Sequence, residues 1–312
     1  MNGLTVAPSP HRSTKLSTSM IMLNVVIALL PSAVAGTVIF GARAALVLLV
    51  CIASCVIFEA LTRKLMKKEQ TISDLSAVVT GLLLGMNLPS SIPIWMAVIG
   101  SFVAIVIVKQ LFGGIGQNFA NPAIVGRIVM MLSFTAFMSS WPVPFWYKLG
   151  ADVVTGATPL AAGAGSISYI DLFLGNCGGC IGEVCSIALL AGGLYLMAAR
   201  IISPAAPAAF IGTVALMTLI TGGDVLFQIL SGGLFLGAFF MATDYATTPL
   251  TNKGKVIFGI GCGLITFVIR NYGNYPEGVS FSILIMNLLT PYIDRLTQLT
   301  PLGAKKPAAK EA

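Results

Sequence analysis

The sequence has 312 residues, of which 56% are hydrophobic and only 9% charged, with a mean hydropathy of +0.93. Soluble domains carry about 25% charged residues, so this composition excludes an ordinary soluble protein and indicates one that is embedded in lipid. The formal net charge of +7 would suit a nucleic-acid-binding protein, but the basic residues are distributed as in a membrane protein, as shown below.

Apolar stretches suited to membrane crossing recur along the whole chain. One crossing needs about 20 mostly apolar residues, and glycine or proline interrupts many of the stretches here. In chain order they are Met20–Phe40, Ala44–Leu61, Ile72–Leu88, Ile92–Val108, Ala123–Met138, Cys180–Ala199, Ala205–Ile220, Leu226–Ala242, Val256–Ile269 and Phe281–Leu299. We therefore predict an all-α polytopic membrane protein with about ten transmembrane helices.

One membrane domain accounts for nearly the whole chain. We predict a polar N-terminal segment over residues 1–19, a single membrane domain over 20–299 and a disordered tail over 300–312. No Gly/Ser linker or long charged run marks a second domain.

The positions of the basic residues predict the orientation. If the N-terminus is cytoplasmic, 14 of the 18 Lys and Arg residues fall on the inner side: Arg12, Lys15, Arg63, Lys64, Lys67, Lys68, Lys109, Arg200, Lys253, Lys255, Arg295, Lys305, Lys306 and Lys310. Arg43, Lys148 and Arg270 fall outside, and Arg127 lies within a span. Since cytoplasmic loops carry an excess of Lys and Arg, both termini are predicted to be cytoplasmic.

Two pairs of stretches indicate an internal repeat. They are Val78–Pro93 with Leu234–Pro249, and Lys109–Pro122 with Arg270–Asn287. The spacing from Pro89 to Pro249 and the spacing from Lys109 to Arg270 differ by a single position. We predict two inverted five-helix halves with broken helices, over 20–138 and 180–299, joined by an outer loop over 139–179. Such repeats place a site between the halves near the midplane.

The outer loop contains the polar stretch "DVVTGATPL", Asp152–Leu160. Gly156 and Ala157 leave the backbone bare, and Pro159 fixes the chain just after Thr158. Two interpretations fit these residues. Thr158 presents its hydroxyl to an enzyme that modifies it, or Asp and Thr simply form a polar turn or helix cap. Composition alone favours the turn, because polar turns are common at membrane surfaces.

The same stretch resembles the flavinylation motif of the RnfD/NqrB family of membrane subunits. The matching residues are Asp152, Thr155, Gly156, Ala157, Thr158, Pro159 and Leu160. The resemblance implies that Thr158 carries FMN through a phosphoester bond. Similar text occurs at 9–11 ("SPH"), 108–123, 239–255 and 275–287, so the resemblance runs from about residue 6 to 295.

The resemblance also implies a function and partners. It indicates a subunit of the Rnf ion-translocating ferredoxin:NAD⁺ oxidoreductase in the bacterial inner membrane, which carries electrons through flavins coupled to Na⁺ or H⁺ transport. The implied partners are RnfA, RnfB, RnfC, RnfE and RnfG, with RnfG donating electrons to the FMN, and a flavin transferase during maturation. No G-x-G-x-x-G unit, Walker loop or H-E-x-x-H motif occurs, so we predict no NAD site in this chain.

Two other functions remain open from the sequence. The shared motifs also fit an NqrB-like subunit of a Na⁺-translocating NADH:quinone oxidoreductase, although the short N-terminal segment favours the RnfD type. Inverted halves also suit a channel or transporter without redox chemistry, because fold alone does not decide function. The threonine motif discriminates, since a channel has no need of a flavin-transfer signature.

A second site is expected toward the inner face. An electron that leaves an outer flavin must cross ~30 Å of hydrocarbon core, which is too far for one step. The resemblance suggests a non-covalent riboflavin, and the interrupted segments offer free backbone groups for polar ligands. The residues predicted to hold a second flavin, or to line an ion path, are Asn118, Asn121, Arg127, Asp244 and Tyr245. The alternative for Arg127 is that it simply caps helix-end carbonyls.

The remaining candidates are cysteines and buried acids. Cys177 and Cys180 form a C-x-x-C pair near Cys185, which suits a disulfide or a metal, but three clustered cysteines favour thiols over an iron–sulfur cluster. We predict no metal site. Glu59 and Glu183 lie at or near membrane depth, where capping and function are equally good interpretations.

Overall fold

The computed structural model describes residues 17–148, 155–163, 167–273 and 278–298, and these are almost entirely helical. The strands among them are two residues long: β1 (Trp141–Pro142) pairs antiparallel with β2 (Thr155–Gly156). An all-α membrane protein, as predicted, is the architecture found. The predicted N-terminal segment up to residue 16, the tail from residue 299 and Asp152 lie outside the described residues.

The helices follow the predicted stretches. Up to the outer loop they are α1 (Thr18–Phe40), α2 (Ala42–Leu65), α3 (Ser76–Met86), α4 (Ile94–Phe102, continuing as a π-helix over Val103–Gln110), α5 (Pro122–Ser133) and α6 (Thr135–Met138). The loop contributes α7 (Pro159–Ala162) and α8 (Tyr169–Leu174). After it come α9 (Ser186–Ala198), α10 (Ala205–Ile220), α11 (Val225–Leu230), α12 (Leu234–Leu236, continuing as a π-helix over Gly237–Met241), α13 (Asn252–Tyr272) and α14 (Val279–Thr297). Short 3₁₀ turns cover Ile72–Asp74 and Trp146–Lys148.

Three of the described helices are long and apolar enough to cross a membrane by length and composition, namely α1, α2 and α13. Five shorter apolar helices of 10–17 residues accompany them: Ser76–Met86, Ile94–Gln110, Pro122–Ser133, Ser186–Ala198 and Ala205–Ile220. Every predicted stretch contains helix. The number of crossings and the inverted arrangement of the halves stay predictions.

Glycines allow the helices of the core to approach closely. A Cβ on Gly192 of α9 would lie 2.2 Å from the carbonyl oxygen of Ala28 in α1, and one on Gly259 of α13 would lie 2.6 Å from that of Ala206 in α10. Such contacts between backbones are typical of helix pairs in membranes. The α1–α9 and α10–α13 pairs are therefore fixed by close packing.

The interrupted segments end and restart helices through specific residues. Asn121 caps α5, because its Oδ1 accepts hydrogen bonds from the amides of Ala123 (3.0 Å) and Ile124 (3.4 Å). Pro122 follows at the first helical position, where its missing N–H costs nothing. The second interruption, between the α12 π-helix and α13, ends with Thr251, whose hydroxyl accepts from the amide of Gly254 (3.0 Å).

Candidate cofactor sites

Thr158 lies at the start of α7, and its hydroxyl is not presented to solvent. The residue is only 4% exposed, and its Oγ1 accepts a hydrogen bond from the amide of Ala161 (3.3 Å) as a helix cap. Thr155, Gly156 and Ala157 are exposed. Thr158 therefore forms a helix cap, one of the two interpretations that the sequence left open, and the three residues before it are accessible. The modification of Thr158 stays a prediction.

The space beside Thr158 is very small. A cavity of ≈ 10 Å³ is bounded by Thr158–Leu160, Cys177–Gly179, Glu183–Val184, Leu230 and Gly232. A volume of ~10–15 Å³ holds about one water molecule. The ring system of a flavin does not fit in this space.

A buried charged cluster lies next to that space. Glu183 lines it, is 4% exposed and accepts a hydrogen bond at Oε1 from the amide of Cys180 (2.8 Å). Its Oε2 lies 4.0 Å from Nη2 of Arg127, which is 3% exposed. Arg127 donates through Nη1 to Oδ1 of Asn87 (2.6 Å) and through Nη2 to Sγ of Cys180 (3.5 Å). The structure thus places Arg127 next to Glu183, which lines the space beside Thr158, and not with the other residues predicted for a second flavin.

Arg270, in the last turn of α13, lies next to Gly232, which lines the same space. It donates to the carbonyl oxygens of Gln228 (2.7 Å) and Ser231 (3.1 Å), which end α11. Its Nη2 would lie 2.9 Å from a Cβ on Gly232, a residue with φ +68° that lines the Thr158 cavity. Arg270 therefore positions the turn against which Leu160 packs.

The second site is a cavity of ≈ 330 Å³ at a different level of the molecule. The first turns of α1, helix α3, the interruption between α4 and α5, and the interruption between α12 and α13 line it. Four of the predicted residues lie in its wall: Asn118, Asn121, Asp244 and Tyr245. Ligand pockets commonly span about 300–1,000 Å³ with a mostly apolar lining and a few polar groups, and this cavity fits that description.

The amides and the acid of this cavity are held by neighbours. Asn121 donates through Nδ2 to the carbonyl oxygen of Met241 (3.5 Å). Asp244 accepts from Thr247 Oγ1 (3.2 Å), and Asn118 donates through Nδ2 to the carbonyl oxygen of Ala120 (3.0 Å). Tyr245 donates to the carbonyl oxygen of Ile201. The two interruptions are thus joined across the cavity, and a polar ligand there would meet pre-positioned groups.

A buried ion pair forms one end of the cavity wall. Lys109 lines the cavity, is 3% exposed, and its Nζ donates to Glu59 Oε2 and to Ser76 Oγ, both at 2.6 Å. Glu59 is fully buried and also accepts from Thr71 Oγ1 (2.7 Å). Glu59 therefore does not snorkel to the surface. Sequence reasoning used Lys109 only as a marker of topology and of the repeat, because a partner on a different helix leaves no local motif.

The two sites lie at opposite ends of α1. Thr18 to Val25 contribute to the large cavity, whereas the carbonyl oxygens of Val38 and Ile39 accept from the outer-loop residues Tyr147 (Oη) and Phe145 (N), each at 2.8 Å. At a rise of ~1.5 Å per residue, Val25 and Val38 are separated by about 20 Å along the helix.

All six cysteines are free, buried thiols. Cys177 lines the space beside Thr158, and Cys177, Cys180 and Cys185 form no disulfide with one another. Within the described ranges, no group of three or more His, Cys, Asp or Glu side chains is arranged to hold a metal ion. The Cys180 thiol accepts a hydrogen bond from Arg127 (3.5 Å) and so adjoins the Arg127–Glu183 pair.

Comparisons with known proteins agree with the resemblance seen in the motifs. The family described as NQR2, RnfD, RnfE matches residues 5–303. The chain is 50% identical, over 97% of its length and 96% of the relative, to the D subunit of the Na(+)-translocating ferredoxin:NAD(+) oxidoreductase complex of Acetobacterium woodii. It is 43% identical, over 98% of both chains, to the D subunit of the proton-translocating ferredoxin:NAD(+) oxidoreductase complex of Clostridium ljungdahlii. It is 34% identical, over 96% of its length and 99% of the relative, to the D subunit of the ion-translocating oxidoreductase complex of Escherichia coli (strain K12 / DH10B).

Proposed function

Because the chain belongs to the NQR2, RnfD, RnfE family, we propose that it is the flavin-bearing D subunit of an ion-translocating ferredoxin:NAD⁺ oxidoreductase. Electrons reach an FMN on Thr158 and leave through a second, non-covalent flavin of the riboflavin type in the large cavity. The other Rnf subunits are its partners, with RnfG as the donor to the FMN. The printed names of its relatives differ in the ion, Na⁺ or H⁺, so family membership does not choose between them.

The contrast between the two sites carries the proposal. The inner cavity, at ≈ 330 Å³, has room for a ligand held by burial alone, whereas the space at Thr158, at ≈ 10 Å³, has none. A flavin beside Thr158 would therefore be held by a covalent bond, not by burial. The hydroxyl that such a bond requires is the one that the "TGAT" motif supplies.

Attachment to Thr158 exchanges one bond for another. The Oγ1–P bond forms, the phosphoanhydride bond of a flavin dinucleotide donor breaks, and the hydroxyl proton leaves to the medium or the departing nucleotide. Since Thr158 is 4% exposed behind its cap contact with Ala161, the transferase must act while residues 155–163 are displaced. The exposed Thr155–Ala157 segment gives it a place to bind first.

The residues of the inner cavity can bind and orient a flavin. When bound there, a flavin supplies one- and two-electron transfer, and the protein supplies position and electrostatics. Asn118 and Asn121 offer amides to a heterocycle's edge, and the ion-paired Lys109 offers a fixed positive charge in the wall. The apolar face made by Phe239 and Phe240 and the first turns of α1 excludes water.

The membrane arrangement is part of the proposal. Five helices of the first half have counterparts in the second half, each at a similar offset along the chain. In order, α1 to α5 correspond to α9, α10, α12, α13 and α14. This supports ten crossings in two inverted halves of one bacterial inner-membrane domain. Both termini are then cytoplasmic, with Thr158 on the outer side. Reporter fusions after residues 66, 150 and 305 should show inside, outside and inside, and an outside result at 305 would contradict this layout.

The covalent flavin is tested by fluorescence of the denatured chain. After expression of the complex with its flavin transferase, the wild-type band should fluoresce under ultraviolet light in a denaturing gel. Thr158→Ala should abolish the band, whereas Thr155→Ala, the matched threonine of the same motif, should retain part of it. Fluorescence that survives Thr158→Ala would overturn the assignment. Riboflavin released by organic solvent from the same preparation tests the inner site.

A further inference from the structure

The end of α2 carries a dense group of basic residues. Arg63, Lys64, Lys67 and Lys68 fall within six positions, and the three lysines are exposed. No ion pair within the described part of the chain includes one of these lysines, and the acidic residue that follows them, Glu69, is itself exposed. The three lysines are therefore accessible to an anionic ligand.

An exposed apolar surface lies on the turn that follows the α4 π-helix. Leu111, Phe112 and Phe119 are exposed, and the rings of Phe112 and Phe119 are in contact, with their centroids 4.9 Å apart. The backbone over residues 111–119 is irregular, and irregular backbone exposed to lipid does not occur within the hydrocarbon region. Apolar side chains on such a turn suit the boundary between lipid headgroups and acyl chains.

Two contacts place the end of α2 beside this 111–119 turn. Arg63 donates through Nη1 to the carbonyl oxygen of Glu69 (2.8 Å), and its Nη2 would lie 2.6 Å from a Cβ on Gly114. Farther into the bundle, Nζ of Lys109 donates to Oε2 of Glu59 (2.6 Å), which joins α4 to α2. The basic residues and the apolar turn therefore lie at the same end of the bundle, in contact through Arg63.

We propose that this surface binds an anionic phospholipid, with its phosphate at the lysines that end α2 and an acyl chain on Leu111, Phe112 and Phe119. Basic clusters next to a membrane helix attract anionic headgroups, and apolar side chains at the interface pack at the level of the acyl chains. A phospholipid offers both chemistries in one molecule, whereas a soluble phosphate offers nothing to the apolar side chains. The site is separate from the flavins and does not depend on them.

The 111–119 turn connects the lipid to the inner cavity. Ile115, Gly116 and Asn118 of the same turn line that cavity. A lipid on the exposed side chains of the turn therefore covers the outside of a segment whose other residues form the cavity wall. Gly114 and Gly116 have left-handed backbones, so the turn is built from conformations that most side chains would strain.

The test counts the phospholipids that stay bound to the complete complex in native mass spectrometry. The complex is titrated with phosphatidylglycerol, which is anionic, and with phosphatidylcholine of the same acyl chains, which has no net charge. Lys64→Gln/Lys68→Gln removes two charges from the proposed site. Arg200→Gln/Lys253→Gln is the matched control, because it removes two charges from exposed residues on other turns.

A second pair of variants tests the apolar part of the site. Phe112→Ala/Phe119→Ala removes both rings and keeps every charge, so phosphatidylglycerol should bind about tenfold more weakly through the loss of apolar contact. The control is Phe137→Ala/Phe173→Ala, which removes two exposed rings from α6 and α8. Equal weakening by the two double variants would contradict an acyl chain on the 111–119 turn.

Wild type should retain one phosphatidylglycerol that Lys64→Gln/Lys68→Gln loses, with affinity falling about fivefold for each lysine removed. Arg200→Gln/Lys253→Gln should match wild type, phosphatidylcholine should bind weakly to all, and flavin content should not change. Equal losses in the two charge variants would mean that the lysines only orient the chain, and equal affinity for the two lipids would mean that no headgroup is recognised. Release of another subunit from Lys64→Gln/Lys68→Gln at unchanged lipid binding would assign the surface to an acidic protein. Each of these three results would overturn the inference.

Discussion

The inner cavity and the Thr158 region differ in volume and in the buried charges beside them. The inner cavity has volume, two interrupted helices and a buried cation that is already paired with Glu59. The Thr158 region has a space of only ≈ 10 Å³, and beside it Arg127 lies 4.0 Å from Glu183. A site with volume can hold a ligand by burying it, whereas the flavin proposed at Thr158 would be held by its covalent bond. The comparison predicts that substitutions in the inner cavity and substitutions beside Thr158 have different effects on stability and on flavin content.

The largest effect should come from breaking the ion pair of the inner cavity. Lys109→Met leaves the fully buried Glu59 without its cation, and removal of one partner of a buried pair costs about 3–5 kcal/mol. We expect a strongly lowered melting temperature of the detergent-solubilised complex, and recovery of most of it in the double variant Glu59→Gln/Lys109→Met. No recovery in the double variant would show that Lys109 acts through contacts other than Glu59.

Filling the inner cavity should remove the proposed riboflavin and leave the covalent flavin in place. Val79→Phe adds a ring at the cavity wall, so we expect the riboflavin released by solvent to fall about tenfold, by the steric cost of ~1–3 kcal/mol for overpacking. Covalent fluorescence at Thr158 should not change. Val34→Phe is the control, since Val34 on α1 is 57% exposed. Loss of both flavins in Val79→Phe would mean that the two sites are coupled, not independent.

Two glycines with left-handed backbones offer a finer comparison. Gly116 lines the inner cavity with φ +82° and no atom within 4 Å of its Cβ position, whereas a Cβ on Gly232 would lie 2.8 Å from Leu160 Cδ1 and 2.9 Å from Arg270 Nη2. Gly116→Ala should cost only the backbone strain of about 1–2 kcal/mol. Gly232→Ala should cost more and also lower labelling of Thr158, because Leu160 and Arg270 must move. Equal labelling in both variants would show that the Gly232 contact does not position the motif.

The smallest effect concerns the start of α11. The other end of this helix is capped by Arg270. A backbone hydrogen bond from Phe227, and then the hydroxyl of Tyr169 (2.5 Å), lower the pKa of Asp224 below its ordinary value. A carboxylate with a lowered folded pKa stabilises the protein above its unfolded pKa of about 3.9, and this contribution disappears as pH falls through the folded pKa. Tyr169→Phe should raise the pKa of Asp224, so that part of the stability is lost at slightly higher pH.

Melting temperatures between pH 3 and pH 7 check this expectation, with the pH range set by the ordinary pKa of about 3.9 for Asp. Tyr195→Phe is the control, because the Tyr195 hydroxyl donates to the uncharged Oδ1 of Asn24 (2.6 Å) and should leave the pH profile unchanged. Identical pH profiles for Tyr169→Phe and wild type would mean that the backbone bond alone sets the pKa of Asp224.

Much of this protein follows from local sequence. Helices form where apolar residues run for about a crossing length, and α5 and α13 start where Asn121 and Thr251 cap their first turns, because such signals act within a few residues. The threonine motif and the other family motifs are also contiguous in the sequence, so they can be recognised without the structure. Asn118, Asn121, Asp244 and Tyr245 can be predicted together because free backbone groups occur only at interrupted segments, and the structure does bring them to one cavity.

The tertiary structure alone decided which buried charges face which site. Arg127 follows the interruption that lines the inner cavity, yet its side chain reaches Asn87, Cys180 and Glu183 near the outer loop. Lys109 pairs with Glu59 on a different helix, and the Thr158 hydroxyl turns inward. A side chain longer than one helical turn can point toward either of two sites, and only the packing of distant helices selects the one where its charge is satisfied.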